Sequence, residues 1–177
     1  MRASLDEHVA GDVTEADNLA RMVELCESIA DPFSRTSYTP GHFTASAFIV
    51  SPAGDALLLI HHHKLQRWLQ PGGHVDASDG DLHATALREI HEEVGLHEHN
   101  LEPLGLLDVD IHDIPPRKTE PAHAHFDVRY LFRARTLAHR AGSDAEAARW
   151  VKRSEITPAL TDVSVLRAVA KLDKLLT

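Results

Sequence analysis

Three glutamates, Glu89, Glu92 and Glu93, form the pattern in this sequence that points most directly to chemistry. Their i, i+3 and i+4 spacing places all three carboxylates on one face of a helix, where they repel each other. Near the end of that helix, the helix dipole also disfavours negative charge. A bound cation removes both effects, and carboxylate oxygens suit Mg²⁺ or Mn²⁺. The spacing alone fits either a metal-binding helix or a solvated acidic helix face, and acidic faces of the second kind are common.

The residues around these glutamates form a longer motif. Residues 88–96, Arg-Glu-Ile-His-Glu-Glu-Val-Gly-Leu, match every fixed position in the second half of the pattern G-x5-E-x7-R-E-U-x-E-E-x-G-U, where U is aliphatic. This pattern is the Nudix box, and residues 68–76 resemble the approach to it through a Pro-Gly-Gly turn. Residues 149–156 resemble the closing strand and turn of that family. The sequence thus resembles the Nudix hydrolase superfamily over about residues 44–157, with the box at about 73–96.

The first half of the box departs from the pattern. Between Gly73 and Arg88 there is one residue more than the pattern allows, and no glutamate stands at its first Glu position. In the family, that glutamate mainly supports the geometry of the loop and has a smaller role in metal binding. Asp79 is the candidate substitute, and Asp76 and Asp81 are the alternatives.

The resemblance also implies roles for individual residues. Glu92 and Glu93 would be the principal metal ligands, and Glu89 would be a further ligand or the base that orients water. Arg88 would hold the loop by pairing with a nearby carboxylate. The backbone carbonyl of Gly73 would face a metal, since glycine allows the chain to approach an ion closely. The implied cofactor is Mg²⁺ or Mn²⁺.

The activity implied by the resemblance is hydrolysis of a phosphoanhydride (pyrophosphate) bond in a nucleoside-diphosphate-linked substrate, by attack of water on phosphorus. A divalent ion polarises a phosphoryl oxygen and lowers the pKa of the attacking water. The altered first half of the box leaves one alternative, a non-catalytic Nudix-fold nucleotide-binding or regulatory protein. Chemistry like that of isopentenyl-diphosphate isomerase ranks below both, because it requires a reactive cysteine near the site and Cys26 lies far upstream.

A late loop offers two further acidic candidates. Members of the family often add a carboxylate from such a loop as a ligand or base, and here Asp144 and Glu146 precede the closing strand. An ordinary solvated loop acid is the favoured alternative for each of them.

Histidines form two more candidate groups. His123, His125 and Asp127 alternate, so on a strand their side chains point to one side. Pairs of this kind bind transition metals or contact a phosphate or base, and a half-exposed sheet face is an equally good interpretation. The run at 61–63 is rich enough in histidine to bind metal, although solvated or structural histidines are the favoured interpretation.

Hydrophobic periodicity and turn residues predict the elements that position these side chains. Three helices are expected, at about residues 15–30, 81–94 and 163–172. Six strands are expected, at residues 44–50, 56–61, 68–70, 104–111, 126–134 and 149–151. Thr14 and Asp17 resemble a capping box for the first helix, and Gly95 stands where the second helix should end.

The order of these elements predicts an α/β protein. Strands do not alternate strictly with helices, so we expect a mixed β-sheet with helices on its faces. The resemblance makes this a Nudix-type α/β/α sandwich. Residues 1–42 are predicted to be an N-terminal helical extension and linker, and residues 43–177 the Nudix hydrolase domain.

Composition limits the partners that we expect. The net charge of −9 makes nucleic-acid duplex binding a poor expectation, and a metal would offset the repulsion of a phosphate-bearing small molecule. The one cysteine excludes an intrachain disulfide. With no apparent signal peptide or long apolar run, the sequence predicts a cytoplasmic protein without membrane association. A homodimer is an expectation from the habits of the family alone.

Overall fold

The computed structural model describes residues 2–63, 65–142 and 145–176. Within these residues the strands are β1 (Gly41–Val50), β2 (Ala56–His62), β3 (Arg67–Leu69), β4 (Gly72–His74), β5 (Leu101–Ile114), β6 (His123–Ala134) and β7 (Ala145–Lys152). The α-helices are α1 (Arg2–Asp6), α2 (Val13–Ser28), α3 (Leu82–Val94) and α4 (Val163–Leu175). Short 3₁₀ helices lie at Glu98–Asn100 and Arg153–Glu155.

The strands of the described residues form one mixed sheet with β1 near its centre. The order is β3-β2-β1-β6-β5, with β4 also paired to β1 and β7 also paired to β2. Strands β1 and β6 run parallel over their whole paired length, whereas the other pairs are antiparallel. The other edge of β1 is shared, since β4 pairs near its start and β2 at its end. The mixed sheet that we expected is therefore confirmed.

Side-chain alternation along β1 assigns its residues to two cores. Phe43, Ala45 and Ala47 face a core shared with α2 and α3, while Phe48 and Val50 face a core shared with α4. Successive residues of a strand point to opposite faces, so one strand contributes to both layers. The sheet thus lies between helices on both faces, which confirms the α/β/α sandwich. None of the described helices is long and apolar enough to cross a membrane.

The N-terminal helices pack onto the body of the sandwich. Leu5, Met22 and Leu25 are buried in the core on the α2 and α3 side. Glu15 is fully buried and accepts hydrogen bonds from Lys171 of α4, at 2.6 and 2.8 Å. Burial raises the pKa of Glu15, but hydrogen bonds from His8 and Lys171 outweigh this effect and hold that pKa at about 2. The N-terminal extension thus contacts α4 through this buried pair. The predicted domain boundary at residue 42 stays a prediction.

The capping of the helices differs in one place from the prediction. Helix α2 begins after Asp12, whose carboxylate accepts from the Glu15 amide at 2.8 Å. The predicted capping box of Thr14 and Asp17 is therefore wrong, because Asp12 is at least as good an N-cap and lies in extended backbone. The end of α3 at Gly95, with φ at 68°, is confirmed.

Several strands are longer than their local sequence indicates. Strand β5 has 14 residues and includes Leu101 at its start and Ile114 at its end. Strand β1 already begins at Gly41, within the predicted linker, because Gly41 and His42 pair with β6. Strand pairing over long sequence separations extends these strands into polar and proline-containing segments, which periodicity assigns to loops.

Candidate active site

The glycine turn lies directly against the carboxylates of α3. The backbone amide of Gly72 donates to the Glu93 carboxylate at 2.9 Å. A Cβ atom added at Gly73 would overlap with the Glu89 carboxylate, and one at Gly72 would overlap with Ser46. The turn is held in this place as β4, which pairs with β1. The structure therefore brings together Gly73 and two of the three predicted metal-binding glutamates, and glycine is required for this close approach.

Arg88 ties the loop before α3 to the helix. Its guanidinium donates to Asp79 at 3.1 Å from Nε and from Nη2, and to the backbone carbonyl of His74 at 2.7 Å. It also donates to Glu89 at 2.8 Å and to Glu92 at 3.3 Å. The planar guanidinium thus holds two segments of the loop and two carboxylates of the helix in one arrangement.

The three candidate substitutes for the missing box glutamate have different partners. Asp79 accepts from Arg88 and from the Asp76 amide at 2.9 Å. Asp76 accepts from the backbone and hydroxyl of Ser78, and Asp81 caps α3. Among them, Asp79 is the carboxylate that the structure places against Arg88. Burial raises its pKa, but hydrogen bonds with Arg88 outweigh this effect and lower the pKa below the usual range.

The glutamates differ in their exposure to solvent. The Glu89 side chain is 12% exposed, and burial raises its pKa although Arg88 acts in the opposite direction. The Glu92 side chain is 55% exposed. The set offers hard oxygen donors beside a turn that has no side chains at Gly72 and Gly73. These features fit a small hard cation such as Mg²⁺ or Mn²⁺.

Other predicted candidates lie on other strands or outside the described residues. Asp144 and the side chain of Glu146 lie outside the described part of the chain. In the run at 61–63, the His61 ring lies 5.3 Å from the Trp68 ring, measured between centroids. These side chains are on β2 and β3, which pair with each other.

A buried ion network is the polar feature that sequence reasoning missed. Arg129, 2% exposed, donates to Asp127 at 3.0 Å and to Asp108 and Asp110 at 3.1 Å each. Arg167 of α4 donates to both carboxylate oxygens of Asp108, at 2.7 and 2.8 Å. A sequence signal did exist, since these charges alternate with apolar residues along β5 and β6.

Histidines from three strands occupy the same face of the sheet. His42 of β1 and His125 of β6 are paired in register, and His74 of β4 lies beside them, with one nitrogen from each within 4.8 Å of the others. Of the trio predicted to share one side of β6, His125 joins this group. The His123 ring stacks on His42 at 5.1 Å, and Asp127 belongs to the ion network instead.

Comparison with known proteins agrees with this fold. The sequence model of the NUDIX domain matches residues 40–172. A protein from Lactococcus lactis subsp. cremoris (strain MG1363), named as a probable DHNTP pyrophosphohydrolase, is 35% identical over 126 residues, which cover 68% of this chain and 72% of the relative.

Solved structures show the same architecture. A NUDIX-family hydrolase from Clostridium perfringens aligns with a TM-score of 0.56 and 25% identity, over 76% of this chain and 97% of that one. The E. coli dihydroneopterin triphosphate pyrophosphohydrolase aligns with a TM-score of 0.58 and 14% identity, over 72% of this chain and 91% of that one, and shows a shared fold. With the domain match over most of its length and the box on α3, the chain belongs to the Nudix hydrolase family.

Proposed function

We propose that this Nudix hydrolase is a divalent-metal-dependent pyrophosphohydrolase that cleaves a phosphoanhydride bond by attack of water on phosphorus. The observation that carries the proposal is the complete glutamate set of α3, held against the glycine turn by Gly72 and Arg88. Three carboxylates in such an arrangement are poorly suited to stability alone and well suited to a hard cation. Nudix hydrolases generally use divalent metals, and Mg²⁺ or Mn²⁺ is the proposed ion.

The proposed roles are those that the family resemblance implies, and the placement of the side chains supports them. Glu92, Glu93 and the carbonyl of Gly73 would hold the ion, which when bound polarises a phosphoryl oxygen and acidifies water. Glu89 would be a further ligand or would orient the water and accept its proton, and its burial beside the turn supports a raised pKa suited to a base. Arg88 positions these groups through its contacts with the loop and with Glu89.

We take dihydroneopterin triphosphate as the first substrate to test. The support is the Lactococcus lactis relative, whose name specifies DHNTP and which is 35% identical over 126 residues. A nucleoside-diphosphate-linked molecule, as the sequence resemblance implies, is the second candidate. Both classes carry the phosphoanhydride bond that the carboxylate site would act on.

A substrate panel with controlled metal tests the proposal. Dihydroneopterin triphosphate, nucleoside triphosphates, ADP-ribose, dinucleoside polyphosphates and nucleotide sugars are incubated with Mg²⁺, with Mn²⁺ and with chelator. We expect metal-dependent release of pyrophosphate or a nucleotide product from one class, with oxygen from labelled water found on a phosphate product. Tight binding of a panel member without any metal-dependent product would instead support the non-catalytic nucleotide-binding alternative.

Replacing Asp79 with asparagine tests the substitute for the missing box glutamate. The amide of asparagine keeps the size of the side chain but removes the negative charge that pairs with Arg88. Arg88 in turn donates a hydrogen bond to Glu89 and holds it in place. Loss of a partner that orients metal ligands typically lowers metal affinity or activity about 10–100-fold, and we expect a loss in that range. The measurements are the cleavage rate and the Mg²⁺ concentration for half-maximal rate.

Asp76→Asn is the matched control for Asp79. Asp76 is an acid of the same loop that bonds to Ser78 rather than to Arg88, so its variant should stay within about twofold of the original activity. Equal losses of cleavage rate in Asp79→Asn and Asp76→Asn would contradict a specific role for Asp79.

A further inference from the structure

Among the described residues, the buried Nε2 nitrogen of His42 has no hydrogen-bond partner. His42 is fully buried, and its Nδ1 lies 3.0 Å from the carbonyl oxygen of Ser37. A carbonyl only accepts, so Nδ1 carries the hydrogen and Nε2 keeps its lone pair. A histidine whose other ring nitrogen donates to a backbone carbonyl is the usual form of a metal ligand.

Two further histidines form a triangle with His42. The ring centroids of His42, His74 and His125 lie 5.1, 4.9 and 4.8 Å apart in their three pairs. One nitrogen from each ring lies within 4.8 Å of the others. Metal–nitrogen bonds of roughly 2.0–2.1 Å in a tetrahedral site require nitrogens about 3.3 Å apart. Small side-chain rotations would therefore bring the three nitrogens to ligand distance.

Strand pairing fixes the three residues in this place. His42 and His125 are direct partners in the parallel pair of β1 and β6. His74 is the partner of Thr44 on the opposite edge of β1, two residues along from His42. All three side chains thus project from one face of three adjacent strands. Sites built on sheet strands hold their ligands more precisely than sites built on loops.

The triangle lies on the side of the sheet away from the carboxylates. Neighbouring residues of a strand point to opposite faces. A Cβ atom at Gly73 would point at Glu89, so His74 points to the other face, that of Ser46 and the ion network. The histidines and the glutamates of α3 therefore form two separate donor sets on the two faces of β4.

We propose that His42, His74 and His125 form a binding site for a transition-metal ion of the Zn²⁺ class, distinct from the carboxylate site on α3. Imidazole nitrogens suit Zn²⁺, Co²⁺, Ni²⁺ and Cu²⁺, whereas Mg²⁺ requires oxygen ligands. Three protein ligands leave the fourth position of a tetrahedral ion open to water or to an anion such as a phosphate. The ion would satisfy the buried nitrogen of His42.

Titration of the chelator-treated, full-length protein with Co²⁺ alone tests the proposal. Tetrahedral Co²⁺ with nitrogen ligands gives strong visible d–d absorption, whereas the oxygen ligands of a Mg²⁺ site give weak absorption. We expect this absorption to saturate at one ion per chain and to disappear on addition of equimolar Zn²⁺. Absence of the strong absorption in the unmodified protein would overturn the proposal without any variant.

Variants assign the absorption to the triangle. His74→Ala and His125→Ala are each expected to weaken Co²⁺ binding more than 100-fold, beyond the roughly 10–100-fold effect of a residue that only orients a ligand. Circular dichroism verifies that each variant is folded. Undiminished Co²⁺ binding in either folded variant would overturn the proposal.

Two controls exclude other sites. A second histidine group contains His97, whose ring centroid lies 4.2 Å from that of His91 and 5.5 Å from that of His99. The double variant His97→Ala/His99→Ala should leave the Co²⁺ absorption spectrum unchanged. Glu93→Gln, which alters the carboxylate site, should also leave it unchanged. Loss of the absorption in either control would place the Co²⁺ elsewhere and overturn the proposal.

Discussion

Replacing Glu93 with glutamine is expected to slow substrate cleavage by about 10²–10³-fold without unfolding the protein. The Glu93 carboxylate accepts from the Gly72 amide at 2.9 Å, and the amide oxygen of glutamine can still accept that hydrogen bond. The turn should therefore stay in place, while the negative charge proposed to hold the metal is removed. The expected loss thus reports the charge itself rather than damage to the loop.

The measurement is the cleavage rate of the substrate identified in the panel, at increasing Mg²⁺. Glu98→Gln is the matched control, since it makes the same change at an exposed residue just beyond α3, and its rate should stay near that of the original protein. Circular dichroism and thermal unfolding verify the fold of both. A Glu93→Gln rate within about tenfold of the original would argue against this glutamate as a metal ligand.

Replacing Arg129 with methionine is expected to lower the free energy of unfolding by about 3–5 kcal/mol. The guanidinium is 2% exposed and contacts Asp108, Asp110 and Asp127 at 3.0–3.1 Å. Methionine fills a similar volume, but three buried carboxylates lose the positive charge and the hydrogen bonds that offset the cost of their burial. Arg167 remains bonded to Asp108, so Asp127 would lose the most. The measurement is urea denaturation at neutral pH.

Arg133→Met provides the comparison on the same strand. Its pair with Glu102 is 3.7 Å long, and both side chains are more than one third exposed. Exposed pairs of this kind contribute about 0–1 kcal/mol, so the free energy of unfolding should change by less than about 1 kcal/mol. If Arg129→Met and Arg133→Met lowered the free energy of unfolding by similar amounts, burial of the ion network would have little effect on stability.

The active-site helix is the part that the sequence alone determined. Helical geometry fixes which residues share a face from their spacing, so the positions of Glu89, Glu92 and Glu93 along the chain are enough to place them together. The ends of α3 are equally local, since the Asp81 cap and Gly95 act on adjacent backbone. The Nudix family and the α/β/α sandwich followed from this segment and from the order of the elements. The roles of the glutamates remain predictions.

The partner of Arg88 was left open by the sequence. Asp76, Asp79 and Asp81 all lie within one short loop, and spacing does not distinguish them because a loop has no fixed periodicity. Folding of the loop against α3 selected Asp79. The turn at Gly72 and Gly73 likewise became strand β4 through its pairing with β1, which lies far upstream in the sequence.

The contacts within the histidine triangle and the ion network were decided by tertiary structure. His42 and His125 are separated by most of the central sequence, yet strand pairing makes them direct neighbours. The pairing of β5 with β6 likewise brings Arg129 beside Asp108. Period-two alternation shows which residues of a strand share a face, but it contains no information on which strands are adjacent or in what register. Only the assembled sheet determined those contacts.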